Sequence, residues 1–128
     1  MSRLHIIDVP GLAPSPSPIS NAVVVGNQCW ISGQLGVGDD GRLTGTGTLD
    51  EARVAFDNLF RVASAAGFSR DDIVFVEIAF LDLADIGDVN RLYAELFAEG
   101  ARPARTVYQA AALPMGARVK VQAVAVRA

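Results

Sequence analysis

The sequence predicts an α+β domain in which two helices pack on one face of a mixed β-sheet, and three observations carry that expectation. Residues 49–66 and 86–99 place apolar side chains at helical spacing. Short runs rich in Val, Ile and Thr precede the first stretch, separate the two, and follow the second. The resulting order, β-β-β-α-β-α-β-β, lacks the strict alternation of a parallel α/β sheet. The whole chain, residues 1–128, makes one domain, long enough to bury a core.

Residues 4–9 read as a first strand. Pro10, Pro14, Pro16 and Pro18, set among Gly and Ser, turn residues 10–18 into an extended, irregular connector, too short to separate a pair of domains. Ala22-Val23-Val24-Val25 and Gln28-Cys29-Trp30-Ile31-Ser32 flank Gly26-Asn27, a pair that tolerates the positive φ of a two-residue hairpin turn. Gly33 ends the second of these strands, where a bend or the close approach of a ligand asks for glycine. Residues 36–47 form a polar, glycine-rich loop.

The helix over 49–66 opens with Thr48 and Glu51 at capping-box spacing. It buries Ala52, Phe56, Leu59, Ala63 and Ala66, turns Arg53, Asp57 and Arg61 outward, and stops at Gly67. Residues 73–81 are a strongly apolar strand interrupted by Glu77. The helix over 86–99 has Ile86, Val89, Leu92, Tyr93, Leu96 and Phe97 as its inner face and closes at Gly100. Residues 106–111 and 118–126 are the last strands, joined through the turn Leu113-Pro114-Met115-Gly116. In the final strand Val119, Val121, Ala123 and Ala125 point one way, and Arg118, Lys120, Gln122, Val124 and Val126 the other. The second set is half polar and half apolar, as at a subunit interface, so a homo-oligomer is expected.

A formal net charge of −3 opposes non-specific nucleic-acid binding, which needs a basic stripe, and adhesion to anionic membranes. Cys29 is the only cysteine and His5 the only histidine, too few for an intrachain disulfide or a zinc site. The N-terminus has no signal-peptide run and no apolar stretch is long enough to span a bilayer, which predicts a cytoplasmic setting.

Most candidate motifs have a plain structural reading. Gly36-Val37-Gly38-Asp39-Asp40-Gly41 matches G-x-G-x-x-G, but the helix starts several residues later, and the two aspartates repel a pyrophosphate. Asp82, Asp85 and Asp88 fit the dipole and capping needs of a helix start better than an all-carboxylate metal site. His5 reads as an edge residue, Cys29 as a small buried hydrophobe, and Tyr93 and Phe97 as core. Glu77 either pairs with an arginine or faces solvent.

Arg105 stands apart. It follows Pro103 and enters a strand expected to be largely buried. A guanidinium cannot shed its charge, and its planar fork suits a carboxylate. Two partners stay open on spacing alone: a protein acid such as Glu77, Asp82 or a neighbouring subunit's carboxylate, or a small carboxylate ligand.

Pro18-Ile19-Ser20-Asn21-Ala22, Ser32-Gly33-Gln34, Asn90-Arg91-Leu92-Tyr93, Pro103-Ala104-Arg105-Thr106 and Leu113-Pro114-Met115-Gly116-Ala117 occur in the order and spacing of the RidA/YjgF/UK114 family, as does Val119-Lys120-Val121-Gln122-Ala123-Val124-Ala125. The resemblance runs from about residue 14 to 126. It implies a chorismate-mutase-like fold, a homotrimer around a sheet-lined barrel, and a ligand cleft at each subunit junction. It further implies cofactor-free hydrolysis of reactive 2-imino or enamine acids, such as 2-iminopropanoate, to 2-keto acids and ammonia. The family's carboxylate-clamping arginine falls on Arg105, its amide-donating glycine on Gly33, and its second-helix asparagine on Asn90. Ser32, Val107 and Pro114, beside these motifs, are expected to line the substrate site.

Two departures bear on chemistry. Family deaminases carry tyrosine where this chain has Ile19, and a water-holding glutamate where it has Gln122. Glutamine orients water but cannot accept its proton, a loss on the order of a hundredfold or more. A protonated imine is electrophilic enough for slow turnover by binding and orientation alone. Three functions follow: an imine deaminase with an altered substrate or a reduced rate; a non-catalytic binder of 2-keto acids; and, opposed by the acidic charge and the lack of a general-base histidine, a ribonuclease.

Overall fold

The computed structural model describes residues 2–128. Six strands form one sheet in the order β1-β2-β3-β6-β4-β5, with both helices against one face. The strands are β1 (Arg3–Ile6), β2 (Ala22–Val25), β3 (Gln28–Leu35), β4 (Ile73–Phe80), β5 (Ala104–Gln109) and β6 (Val119–Val126). Only β4 and β5 run parallel, because α2 (Ile86–Leu96) carries the chain back between them. The predicted α+β class and the mixed sheet are therefore observed.

The hairpin forms as expected. Gly26 adopts φ 59° in the turn, and Val23 faces Trp30 across the pair. β3 extends past its predicted end, but its register on β6 slips between Ile31 and Gln34. That bulge takes Ser32 and Gly33 out of the ladder. β2 starts only at Ala22, opposite Ile31, so the connector before it covers the rest of that edge; Ser32 N donates to Asn21 O at 2.9 Å and Ser32 Oγ to Ser20 O at 2.6 Å.

Helix α1 (Thr48–Ala65) buries Ala52, Ala55, Phe56, Leu59 and Val62 against the sheet. The predicted capping box does not form; Gly47 is the N-cap, without a side-chain bond. Thr48 Oγ1 instead donates to Asp85 at 2.5 Å, and buried Glu51 accepts from Arg118 N at 2.8 Å and Arg118 Nη1 at 3.0 Å. Two long-range tethers outcompeted the local cap because both side chains point inward. Helix α2 ends at Leu96, earlier than predicted, with buried Phe97 as its extended C-cap. Phe56, Phe60, Tyr93 and Phe97 form one aromatic cluster between the helices, with ring centroids 4.7 to 6.4 Å apart. Truncating Phe56 there removes roughly 3–5 kcal/mol.

The alternation of β6 is as predicted from Val119 onward, whereas Arg118, expected on the open face, lies ahead of the strand and turns to Glu51 of α1. Val119, Val121, Ala123 and Ala125 are buried under the helices, while Lys120, Gln122, Val124 and Val126 lie half-buried on the open face. Trp30, 55% exposed, and Val74, 46% exposed, stand on or beside that open face. No helix among the described residues is long and apolar enough to cross a membrane.

Candidate functional site

The residues expected at the site fall into two groups. The first surrounds Arg105. Strand β5 is an edge, and its register sets Arg105 beside Val76 and Val107 beside Ile78, both on the helix face. The guanidinium carbon of Arg105 lies 4.8 Å from the centroid of the Tyr93 ring, a cation–π contact from α2. Asn90, Tyr93, Ala94, Arg102 and Pro103 line a shallow cleft of about 270 Å³ with it.

The expected burial of Arg105 is not found. The side chain is exposed in a single copy, because β5 is an edge strand and no described strand pairs on its outer side. Nor does a protein acid meet it; among the described residues the ion pairs are Arg91–Asp88 and Arg118–Glu51. Glu77 cannot reach, since it pairs with Thr106 and Gln122 and so faces the opposite side of the sheet. Asp82 accepts from Ala84 N at 2.9 Å. Arg102 differs from Arg105 in donating to Phe97 O at 3.2 Å and Ala94 O at 3.4 Å.

The second group surrounds the bulge. Gln122 lies between Val121 and Ala123, whose partners are Gln34 and Ile31, so it stands opposite Ser32 and Gly33. Ile19, 47% exposed, shares with Gly33 a pocket of about 160 Å³. Pro14, Leu35, Asn58 and Met115 are among the other residues of its wall. Pro114 itself is exposed and starts the short 3-10 turn that carries Met115 at φ 62° to this pocket.

The sheet keeps the groups apart. Strands β6 and β4 intervene between β3 and β5, and at a spacing of about 4.8 Å that is roughly 14 Å. Arg105 and Gln122 also point to opposite faces. A four-carbon acid, with bonds of about 1.5 Å, spans only about 5 Å. One copy therefore cannot hold one small ligand with both groups.

Sequence reasoning missed two residues here. Lys120 packs its stem along Gly33: a Cβ built on that glycine would fall 2.9 Å from Lys120 Cδ and 3.3 Å from Cε. Its place on the open face was readable from strand alternation, but its contact depends on the bulge. Tyr93 is core, as expected, yet it also floors the arginine cleft. Its buried hydroxyl has no hydrogen-bond partner among the described residues. Burial raises its pKa, an effect partly opposed by Arg105 and then Arg102.

The remaining candidates have structural roles. Burial pushes the Cys29 thiol up to about 11, against a smaller opposing pull from Arg127. His5 lies on edge strand β1, its Nδ1 3.3 Å from Ser20 Oγ. Asp85 is held by Thr48, and Asp88 pairs with Arg91. Among the described residues no group of His, Cys, Asp and Glu is placed to hold a metal ion.

The model of the family described as "Endoribonuclease L-PSP" matches residues 12–127. The chain belongs to that family. A mouse (Mus musculus) relative named 2-iminobutanoate/2-iminopropanoate deaminase is 40% identical over 111 residues, covering 86% of this chain and 82% of its own. The crystal structure of RidA from the Antarctic bacterium Psychrobacter superposes with a TM-score of 0.90 at 31% identity, covering 97% of this chain and 100% of that one. TdcF of E. coli, solved with bound serine, superposes with a TM-score of 0.88 at 29% identity, covering 96% of this chain and 98% of that one. The RidA/YjgF resemblance read from the motifs is thereby confirmed, and with it the fold.

Proposed function

We propose that this protein hydrolyses 2-imino or enamine acids to 2-keto acids and ammonia, at a cleft that two copies complete. The observation that carries the reading is Arg105: a permanent cation lining a shallow cleft, with no protein carboxylate among the described residues to meet it once a second copy covers that cleft. A substrate carboxylate meets its fork through two parallel hydrogen bonds. The name of the mouse relative supplies the reaction class.

The second copy is needed because the bulge group lies on the other face of the sheet. The open face is suited to supply it. Trp30, Phe75, Val124 and Gln122 line a largely apolar hollow there, with exposed Val74 at its margin. A patch of that kind marks a protein interface. A trimer closes three such sheets into a barrel and brings the Arg105 cleft of one copy against the Gly33 bulge of the next.

In that site Arg105 anchors the carboxylate, with Asn90 and Val107 beside it. Gly33 donates its backbone N–H, Ser32 and Pro114 flank the bulge, and Ile19 gives the cleft an apolar wall. Water held by the Gln122 carbonyl adds to the imine carbon. Its proton passes to nitrogen, and collapse of the carbinolamine expels ammonia and leaves the ketone. Gln122 positions this water without taking the proton, so turnover runs on orientation and on the electrophilicity of the protonated imine.

A second reading, a 2-keto acid binder without turnover, draws on the same glutamine. Generating 2-iminopropanoate in situ with an amino-acid oxidase and following its decay separates the two. Hydrolysis above buffer that disappears in Arg105→Ala supports the deaminase. Decay equal to buffer, with 2-oxobutanoate still bound, supports the binder. Light scattering that finds a monomer removes the shared cleft.

A further inference from the structure

We infer that Lys120 is a second anion-binding group of this site, and that its ligand is a 2-imino or 2-keto acid carrying a second carboxylate. The inference rests on the reading above that two copies complete the cleft.

Lys120 leaves β6 on the open face, in register with Leu35 of β3 and Ala79 of β4. Its methylenes run along Gly33, with Cγ 3.2 Å and Cε 3.3 Å from where a Cβ would stand. The missing side chain at position 33 is what makes room for that stem. The ammonium, one bond beyond Cε, is thus held at the bulge, beside the backbone that leaves the ladder there.

Among the described residues no carboxylate lies within 4.0 Å of it. The acid on the same face, Glu77, faces Gln122, two positions along β4 from the Ala79 that faces Lys120. Such a diagonal pair stands about 7–8 Å apart. Lys120 is nevertheless half-buried, and any copy packed on this face buries it further. Once a second copy covers it, an ammonium without a partner would be unfavourable, so a partner is expected to arrive with the ligand.

The chemistry of the bulge selects the partner. A lysine ammonium offers three donors and no acceptor, and the Gly33 backbone N–H, assigned to the ligand in the reading above, offers another donor. An iminium group, itself cationic and donor-only, is matched by neither of these donors and finds only the Gln122 carbonyl to accept from it. A carboxylate satisfies both donors. With the α-carboxylate on Arg105, the oxygens that reach Lys120 belong to a second acid group. The methylenes between them lie along Ile19, which shares the pocket of Gly33.

Calorimetry of the assembled protein with 2-oxobutanoate and with 2-oxoglutarate tests this, using wild type, Lys120→Met and Arg105→Ala. Methionine keeps the packed stem and removes the charge. The expected result is that wild type binds 2-oxoglutarate tighter by about tenfold or more, the scale of a charge-assisted hydrogen bond. Lys120→Met should bring the ratio of the two affinities close to one, while light scattering shows the assembly intact. Equal affinities in wild type, or a ratio unmoved by Lys120→Met, would overturn the inference. Arg105→Ala separates the two levels. If it abolishes binding of 2-oxobutanoate, the arginine half of the proposed cleft stands whatever Lys120 does; if it leaves both acids bound as in wild type, the cleft and the role of Lys120 fall together.

Discussion

The two halves of the candidate site differ in how each is built, and the difference shows what each can do alone. The arginine half is carried by regular elements, β5 and α2, with an aromatic floor beneath the cation. It is a binding surface: a fixed positive charge, an amide and a cleft. The bulge half is carried by irregular backbone. A register slip takes Ser32 and Gly33 out of the ladder with β6, a proline-rich connector seals the edge, and Met115 arrives from a turn at positive φ. It sets a glutamine opposite the slip, where the proposed reading positions a water or a second polar group. In the proposed site one half grips and the other orients, and the sheet places them on opposite faces.

Breaking the gripping half has the largest expected effect. Arg105→Ala should lower keto-acid release from 2-iminopropanoate by on the order of a hundredfold or more, with circular dichroism unchanged, since the side chain is exposed. Arg105→Lys should retain some of the activity, because a point charge replaces a fork.

The orienting half should respond in both directions. Gln122→Glu supplies a carboxylate that accepts the proton of water, and turnover should rise by about tenfold or more at neutral pH. A fall would place the attacking water elsewhere. Gly33→Ala should lower kcat/KM by roughly tenfold, as its Cβ forces the Lys120 stem to shift. The same change should leave the melting temperature nearly untouched, because the displaced group is the flexible stem of a side chain.

A smaller effect comes from Cys29, which lies in β3 ahead of the bulge. Its thiol holds its proton from an ordinary 9.0 up to about 11 in the folded state. The folded state thus binds a proton that the unfolded state has released. Stability from this group is full below pH 9 and is lost as pH rises through 11. Thermal melts of wild type and Cys29→Ala across that window should converge as pH rises. Parallel curves would exclude the thiol as the cause.

Much of this architecture was legible from residue patterns. The periodicity of Ala52, Phe56 and Leu59 marked α1, and the alternation of Val119, Val121 and Ala123 marked which face of β6 is core. Arg105 was legible as a cation needing an anion, and Gly33 as a point of backbone irregularity. What escaped depends on partners far apart in sequence. Thr48 and Glu51 had cap spacing, but Asp85 and Arg118 claimed them. Lys120 looked like one polar residue among several on the open face until the bulge brought Gly33 under its stem. The burial of Arg105 was misjudged because strand order, which puts β5 at the edge, is not written in the hydropathy of Thr106-Val107-Tyr108.

The central claim is that a working site takes its gripping half from one copy and its orienting half from another. Mixing subunits tests it directly. Arg105→Ala keeps an intact bulge and Gly33→Leu keeps an intact arginine cleft, and each homo-oligomer should be nearly inactive. Refolded together in equal amounts, they should regain about a quarter of wild-type turnover, the share of heterologous junctions that pair two intact halves in a random mixture. A mixture that stays as inactive as its components, with exchange of subunits verified by mass, would contradict the shared site.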